Sequence, residues 1–353
     1  MKKQTILHVG PLPPPIGGIS VFISQLKKFT STDYDLKFFN IFPKKNKPLN
    51  KLVYNLIVLF KFFFVLMGLK PALVHIHTAG FKAFTKSRFF LLIAKALNYP
   101  VVLHIHSGKF FDFYANSPEK KKRMIEDTLA RADKIVCLSQ IWKDEFLKTF
   151  DVPEERYEII TNAIFTKEFE SVQPSFSEDK KTVLFVGKLG ANKGVRDIIE
   201  MAKKLKENPQ IDFKLMGDGP LKNELQEEID ANNLNITLLG TMSGQEKVDE
   251  FEKAQLFILP SYFEALGLSN LEGMAAGLVV LSTQVGAVPD IIHDDKEGYL
   301  FKPGDIDGFV EKIVSLECEA MKRISAHNKQ QAKAYDFSNL NKRLESLYQE
   351  MIG

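Results

Sequence analysis

The sequence predicts two doubly wound α/β domains, on three observations. Short apolar, β-rich runs alternate with helical patterns along the chain, the pattern of parallel sheets covered by helices. The alternation runs twice, with a polar break at 162–181 that contains Pro174. At 353 residues the chain is long for a single core, and 45% apolar with 26% charged residues is a globular composition and not a disordered one.

In the first series "TILHV" (5–9), "ALVHIH" (72–77), "PVVLHIH" (100–106), "KIVCLS" (134–139) and "YEIIT" (157–161) read as strands. Helical stretches such as "GISVFISQLKKF" lie between them. The second series is "KTVLFVG" (181–187), "DFKLMG" (212–217), "NITLLG" (235–240), "LFILP" (256–260), "LVVLST" (278–283) and "GYLF" (298–301). The last segment, "FSNLNKRLESLYQEMIG", has the spacing of an amphipathic helix. The expected domains are therefore 1–165 and 166–335, with a final helix over about 336–353.

Two cysteines, Cys137 and Cys318, lie far apart and outside any CxxC pair, which excludes a disulfide scaffold and fits a reducing compartment. The opening "MKKQTILHVG" is too short in its apolar run for a signal peptide. Charge is uneven. Residues 1–165 carry 25 Lys and Arg against 13 Asp and Glu, and the remainder 22 against 31, a balance of +12 against −9. A basic half of this kind points to an anionic partner, nucleic acid or a membrane surface.

In doubly wound sheets ligands sit beyond the carboxyl ends of the strands, so the residues just after each strand carry the information. After the first strand comes "GPLPPPIGGIS", where Gly17 and Gly18 open a helix and let backbone approach an anion; a proline-stiffened loop is the bland alternative. His104 and His106 share a strand face, and His75 and His77 end another strand. No cysteine or spaced acid joins them, so no metal site is expected; His75 and His104 read as core histidines and His106, at a strand exit, as a ligand contact. In "FVGKLGANKGVRDII", Lys188 and Lys193 flank a glycine-bearing loop that enters a helix, either a diphosphate pocket or a pair of solvated lysines. In "FILPSYFEALGLSNLEGMAAG", Glu264 and Glu272 stand eight positions apart around Gly267. Ser269 and Glu272 match a capping box, so Glu272 has a structural alternative. Glu264 lies before that cap. Two carboxylates flanking helix amides suit sugar hydroxyls on either side of a phosphate.

These residues resemble glycosyltransferase family 4 of the GT-B fold. The likeness rests on the E-x7-E pair in "PSYFEALGLSNLEGMAAG", on "GKLGANKG", "GDGP", "HIHSG" and the Gly-Gly loop, and spans nearly the whole chain. It implies two Rossmann-like domains facing across a cleft, the second binding the donor and the final helix returning to the first. By position it implies Lys188 and Lys193 at the diphosphate, Glu264 at the transferred sugar and Glu272 at the ribose. The amides of Gly267, Leu268 and Ser269 complete the phosphate site, Met242 lies near the base, Gly17 and Gly18 approach from the first domain, and His106 lies near the reacting centre. The catalytic set is then His106, Glu264 and Lys193, with no metal and no cofactor beyond the nucleotide sugar. Departures from the family pattern are Lys188 for an arginine, Leu266 for a phenylalanine and Gly273 for an alanine. Lysine lacks the bidentate fork of arginine.

The resemblance implies retention of anomeric configuration, with UDP rather than GDP as the carrier and a hydroxyl of a glycan or lipid-linked acceptor in cell-surface polysaccharide synthesis. The expected location is cytoplasmic, at the inner face of the cell membrane. Two stretches bear on that. Residues 52–69 are mostly apolar but interrupted by Asn55 and Lys61, and read as a buried crossover helix or one with a lipid-touching face. In "HSGKFFDFYANSPEKKKRM", aromatics adjoin a basic run, as a surface contact or as a packed cluster. The rivals are a nucleic-acid or anionic-surface binder, which leaves Glu264 and Glu272 unexplained, and a GT-B isomerase or phosphorylase.

Overall fold

The computed structural model describes residues 3–13, 18–42 and 51–353. It divides into two compact units, Met1–Asn162 with Leu340–Gly353, and Ala163–Asn339. The last helix, Phe337–Ile352, carries the chain from the second unit back into the first.

The first unit holds β1 (Gln4–Gly10), β2 (Tyr34–Asn40), β3 (Leu73–Thr78), β4 (Val101–Ile105), β5 (Lys134–Cys137) and β6 (Tyr157–Ile159), all parallel in the order β2-β1-β3-β4-β5-β6. Strand β2, "YDLKFFN", is missing from the sequence reading. It lies at the sheet edge, where Lys37 pairs with Asp35 at 2.7 Å in half-exposed positions, so its apolar alternation is diluted. The second unit holds β7 (Lys181–Val186), β8 (Ile211–Met216), β9 (Ile236–Gly240), β10 (Leu256–Leu259), β11 (Val279–Thr283) and β12 (Gly298–Phe301), in the order β12-β11-β10-β7-β8-β9.

The period-two alternation of the first sheet separates two chemistries. Leu7, Val9, Val74, Ile76, Leu103 and Ile105 belong to one apolar cluster with Phe62, Phe84 and Phe90. The intervening residues are His8, His75, His77, His104 and, just past β4, His106. Register puts His8 beside His75 and His77 beside His104. Phe22, from the helix Gly18–Leu26, lies over His77, His104 and His106 with ring centroids 4.9–5.6 Å away. Tyr348, from the last helix, meets His8 and His75 edge-on.

Two expectations need correction. The aromatics after His106 are not a surface: Phe110 and Phe113 are fully buried, and Phe111 stacks on Trp142. The helix Lys51–Leu69 is not an enclosed crossover. It buries Val58, Phe62 and Leu66 and exposes Val53, Leu56, Ile57, Phe60, Phe63, Phe64 and Met67. Among the described residues no helix is long and apolar enough to cross a membrane.

Candidate active site

In the second unit the strand order reverses between β7 and β10, which are hydrogen-bonded neighbours. Open α/β sheets place ligands at such a reversal. The loop after β7 carries Lys188 and Lys193, and the loop after β10 carries Glu264. Residues 71 positions apart in sequence thus become spatial neighbours: Lys193 Nζ lies 2.5 Å from Glu264 Oε1.

Several groups hold that pair. Tyr262 N donates to Asn192 O at 3.0 Å, tying the two loops through their backbones. Ser261 Oγ donates to Glu264 Oε1 at 2.8 Å, and Thr283 Oγ1 donates to Ser261 O at 2.5 Å. Glu264 is only 7% exposed, and Lys193 and Ser261 give its Oε1 polar partners there in place of water. Gly194 is left-handed, φ 67°, and a Cβ there would stand 1.9 Å from Pro260 O, inside the backbone of the Glu264 loop. The close approach of the two loops therefore requires glycine.

The helix Leu268–Ala276 begins at Gly267, itself left-handed at φ 79° and ψ 62°. No side chain caps that end, so the amides of Leu268 and Ser269 keep their positive field for an outside acceptor. The capping box expected from Ser269 and Glu272 does not form: with Gly267 as the cap, both residues lie inside the helix. Glu272 instead accepts from Lys247 Nζ at 2.6 Å, from the helix Gly244–Lys253. Lys188 is exposed, with no ion pair among the described residues. Its loop rests on the "GDGP" turn through Leu189 N donating to Asp218 O at 3.0 Å. Met242 is half-buried in the loop after β9.

The first unit contains His106 and Gly18; Gly17 lies outside the described residues. Gly18 starts its helix, is exposed, and has no atom of the described residues within 4 Å of where a Cβ would stand, so their packing does not demand a glycine there. His106 Nε2 and His77 Nδ1 share a hydrogen bond of 2.9 Å. Burial drives the His106 pKa down to about 3, leaving a neutral ring. Ring nitrogens of His8, His75 and His77, and of His77, His104 and His106, lie within 4.8 Å of one another, but each of these rings is engaged by another ring or by Tyr348.

Sequence reasoning missed Ser261, Lys247, Gly194, His8 and Tyr348. Ser261 stands three residues before Glu264 and could have been found. Lys247 and Tyr348 reach their partners from helices distant in the chain, with no local signal.

The chain matches two sequence-family models, "Glycosyltransferase Family 4" over residues 24–168 and "Glycosyl transferases group 1" over residues 166–334. It is 26% identical to the uncharacterized glycosyltransferase MJ1178 of Methanocaldococcus jannaschii over 352 residues, 96% of each chain. It is 27% identical to the sulfoquinovosyl transferase SQD2 of Arabidopsis thaliana over 289 residues, 76% of this chain, and spans about half of that relative's length, 54%. Among solved structures, Anabaena Alr3699/HepE in complex with UDP superposes with a TM-score of 0.79 at 15% identity, covering 98% of this chain and 100% of that one.

Proposed function

The chain belongs to the GT-B glycosyltransferases, and from that premise we propose that it moves a sugar from a nucleoside-diphosphate donor, UDP rather than GDP, to a hydroxyl of a glycan or lipid-linked acceptor in cell-surface polysaccharide synthesis. The observation that carries this reading is the Lys193–Glu264 pair at the strand-order reversal, beside the uncapped helix end at Gly267. A diphosphate finds there the amides of Leu268 and Ser269, the free ammonium of Lys188, and Lys193 once it turns from Glu264. Glu264 and Glu272 accept hydroxyl hydrogens of the sugar and the ribose. Lys193 and Lys247 fix their orientation beforehand. HepE, one of the structural neighbours, was solved in complex with UDP and glucose.

Retention by front-face attack fits the environment of Glu264. A carboxylate oxygen already accepting from Lys193 and Ser261 is a poor covalent nucleophile, whereas it stabilises a developing sugar cation. The experiment is donor binding and turnover in EDTA, read by thermal shift and by NMR of the product. UDP-sugars are expected to raise Tm more than GDP- or ADP-sugars, and the product to keep the donor's anomeric configuration with no sugar adduct on Glu264. An inverted product, or a metal requirement, would overturn the mechanism.

The acceptor side of the proposal is an anionic bilayer under the helix Lys51–Leu69. Phe60 and Phe64 are each 66% exposed on its apolar face, and Phe89 of the next helix is also exposed. Between Asp35 and Asp112 the chain has twelve lysines and arginines and no acid. Lys61, Lys70 and Lys82 of that run are exposed. Apolar insertion flanked by cations is the chemistry of an anionic lipid surface. Burial of a phenylalanine contributes about 1.5–3 kcal/mol, so Phe60→Glu or Phe64→Glu is expected to weaken binding to phosphatidylglycerol vesicles by about tenfold or more. Unchanged co-sedimentation of both variants would remove the membrane from the proposal.

A further inference from the structure

The five histidines and Tyr348 form one unbranched chain of hydrogen bonds. Its links are His106 Nε2 to His77 Nδ1 (2.9 Å), His77 Nε2 to His8 Nδ1 (2.8 Å), and His8 Nε2 to the Tyr348 hydroxyl (3.1 Å). It continues from that hydroxyl to His75 Nδ1 (3.1 Å) and from His75 Nε2 to His104 Nδ1 (3.2 Å). The chain ends at two nitrogens with no partner, His106 Nδ1 and His104 Nε2. Burial lowers the pKa of all five rings well below the ordinary value, so each is neutral and holds one ring hydrogen.

Five neutral imidazoles and one phenol bring six hydrogens to five links, so one hydrogen is left over. It can reside on His104 Nε2, on the Tyr348 hydroxyl, or on His106 Nδ1. His104 and Tyr348 are fully buried, and a donor hydrogen there stays unsatisfied. His106 Nδ1 is buried too, but its residue is only half-buried, at the exit of β4 where ligands of such sheets arrive, so of the three positions this one lies nearest a route for an outside oxygen. We propose that this chain sets His106 as a neutral hydrogen-bond donor through Nδ1, and that Tyr348 is a positioning residue that sets it by donating its hydroxyl hydrogen to His8 Nε2. Every link then runs one way: His104 Nδ1 donates to His75, His75 Nδ1 to Tyr348, Tyr348 to His8, His8 Nδ1 to His77, and His77 Nδ1 to His106 Nε2. With its Nε2 lone pair occupied, His106 presents its own hydrogen at Nδ1 to an oxygen of the substrate. Without the Tyr348 hydroxyl the lone pair of His8 is released, and the three-ring run His8–His77–His106 is free to adopt the opposite polarity. The substrate role rests on the glycosyltransferase reading; the tautomer does not.

The test is long-range 1H–15N correlation NMR of the full chain labelled on histidine nitrogen, at pH 7 without ligand. The expected spectrum has His106 protonated at Nδ1 and bare at Nε2, and His104 bare at Nε2. In Tyr348→Phe the two His106 nitrogens are expected to move toward averaged shifts, and kcat to fall about tenfold with the UDP-induced Tm shift unchanged. A wild-type His106 carrying its hydrogen on Nε2, or carrying two, overturns the proposal even if the variant does not fold. An unchanged His106 tautomer in folded Tyr348→Phe also overturns it. If no nucleotide sugar binds or turns over, the glycosyltransferase reading fails while the tautomer result stands.

Discussion

Acidification from about pH 7 to about pH 5 is expected to unfold the first unit. Five of the chain's seven histidines lie there as neutral rings, four of them fully buried and His106 half-buried: desolvation lowers His8 and His106 to about 3, and holds His75, His77 and His104 well below their ordinary value. In the unfolded chain each titrates near 6.5. Below that pH the unfolded state binds more protons than the native one, so stability is complete above about pH 6.5 and is lost as pH falls toward the folded values. Each ring costs about 1.4 kcal/mol per pH unit, so five cost about 7 kcal/mol by about pH 5.5. Domains of this size have about 5–15 kcal/mol in total. The sole tryptophan, Trp142, is in the first unit and stacks on Phe111 at 5.8 Å, so its fluorescence reports that unit specifically. The slope of denaturant stability against pH should correspond to uptake of about five protons between pH 6 and 5. A slope equal to one proton, or a folded signal at about pH 4.5, would mean that the imidazole cluster is hydrated or charged in solution.

Why the sequence made part of this visible follows from where each signal resides. Central strands such as "VVLHIH" and "KTVLFV" are buried on both faces, so their apolar runs stand out. The edge strand Tyr34–Asn40 shares its residues between core and water, so its apolar run does not stand out. Glu264 and Lys193 were legible because a charged residue just past a strand end has no packing reason to be there. Their mutual contact was not legible, since it depends on β10 returning beside β7 after two intervening strands. The histidines were individually visible, but a chain of five requires the register His8–His75 and His77–His104, which is a property of strand pairing and not of spacing. His8 carries no such signal, because a single histidine inside "TILHV" has no partner in its own strand. Glu272 shows the opposite failure. A local capping rule fitted the letters, and the left-handed Gly267 moved the helix start away from them.

Lys193→Met is expected to lower kcat about 100- to 1000-fold and to abolish protection by UDP, the size of effect seen when one preorganised donor to a developing anion is removed. Lys188→Met removes an exposed charge with no acid beside it and should cost less, about tenfold in donor affinity. The difficulty is that Lys193 also holds Glu264, so its loss leaves a buried carboxylate with a hydrogen bond from Ser261 Oγ in place of the ion pair. Glu264→Gln separates the two roles. The amide keeps the size of the side chain and frees the ammonium, which can then turn fully to a phosphate. If the pair serves binding and chemistry in turn, Glu264→Gln should bind UDP at least as tightly as the native protein while losing turnover, because the carbonyl of an amide stabilises a sugar cation far less than a carboxylate does. If the pair is only a loop clasp, both variants should lose UDP affinity and thermal stability together, and the double variant Lys193→Met/Glu264→Gln should recover stability without recovering activity. Isothermal titration with UDP and a melting curve on the three variants distinguish these outcomes, since a clasp couples the two losses and a site divides them.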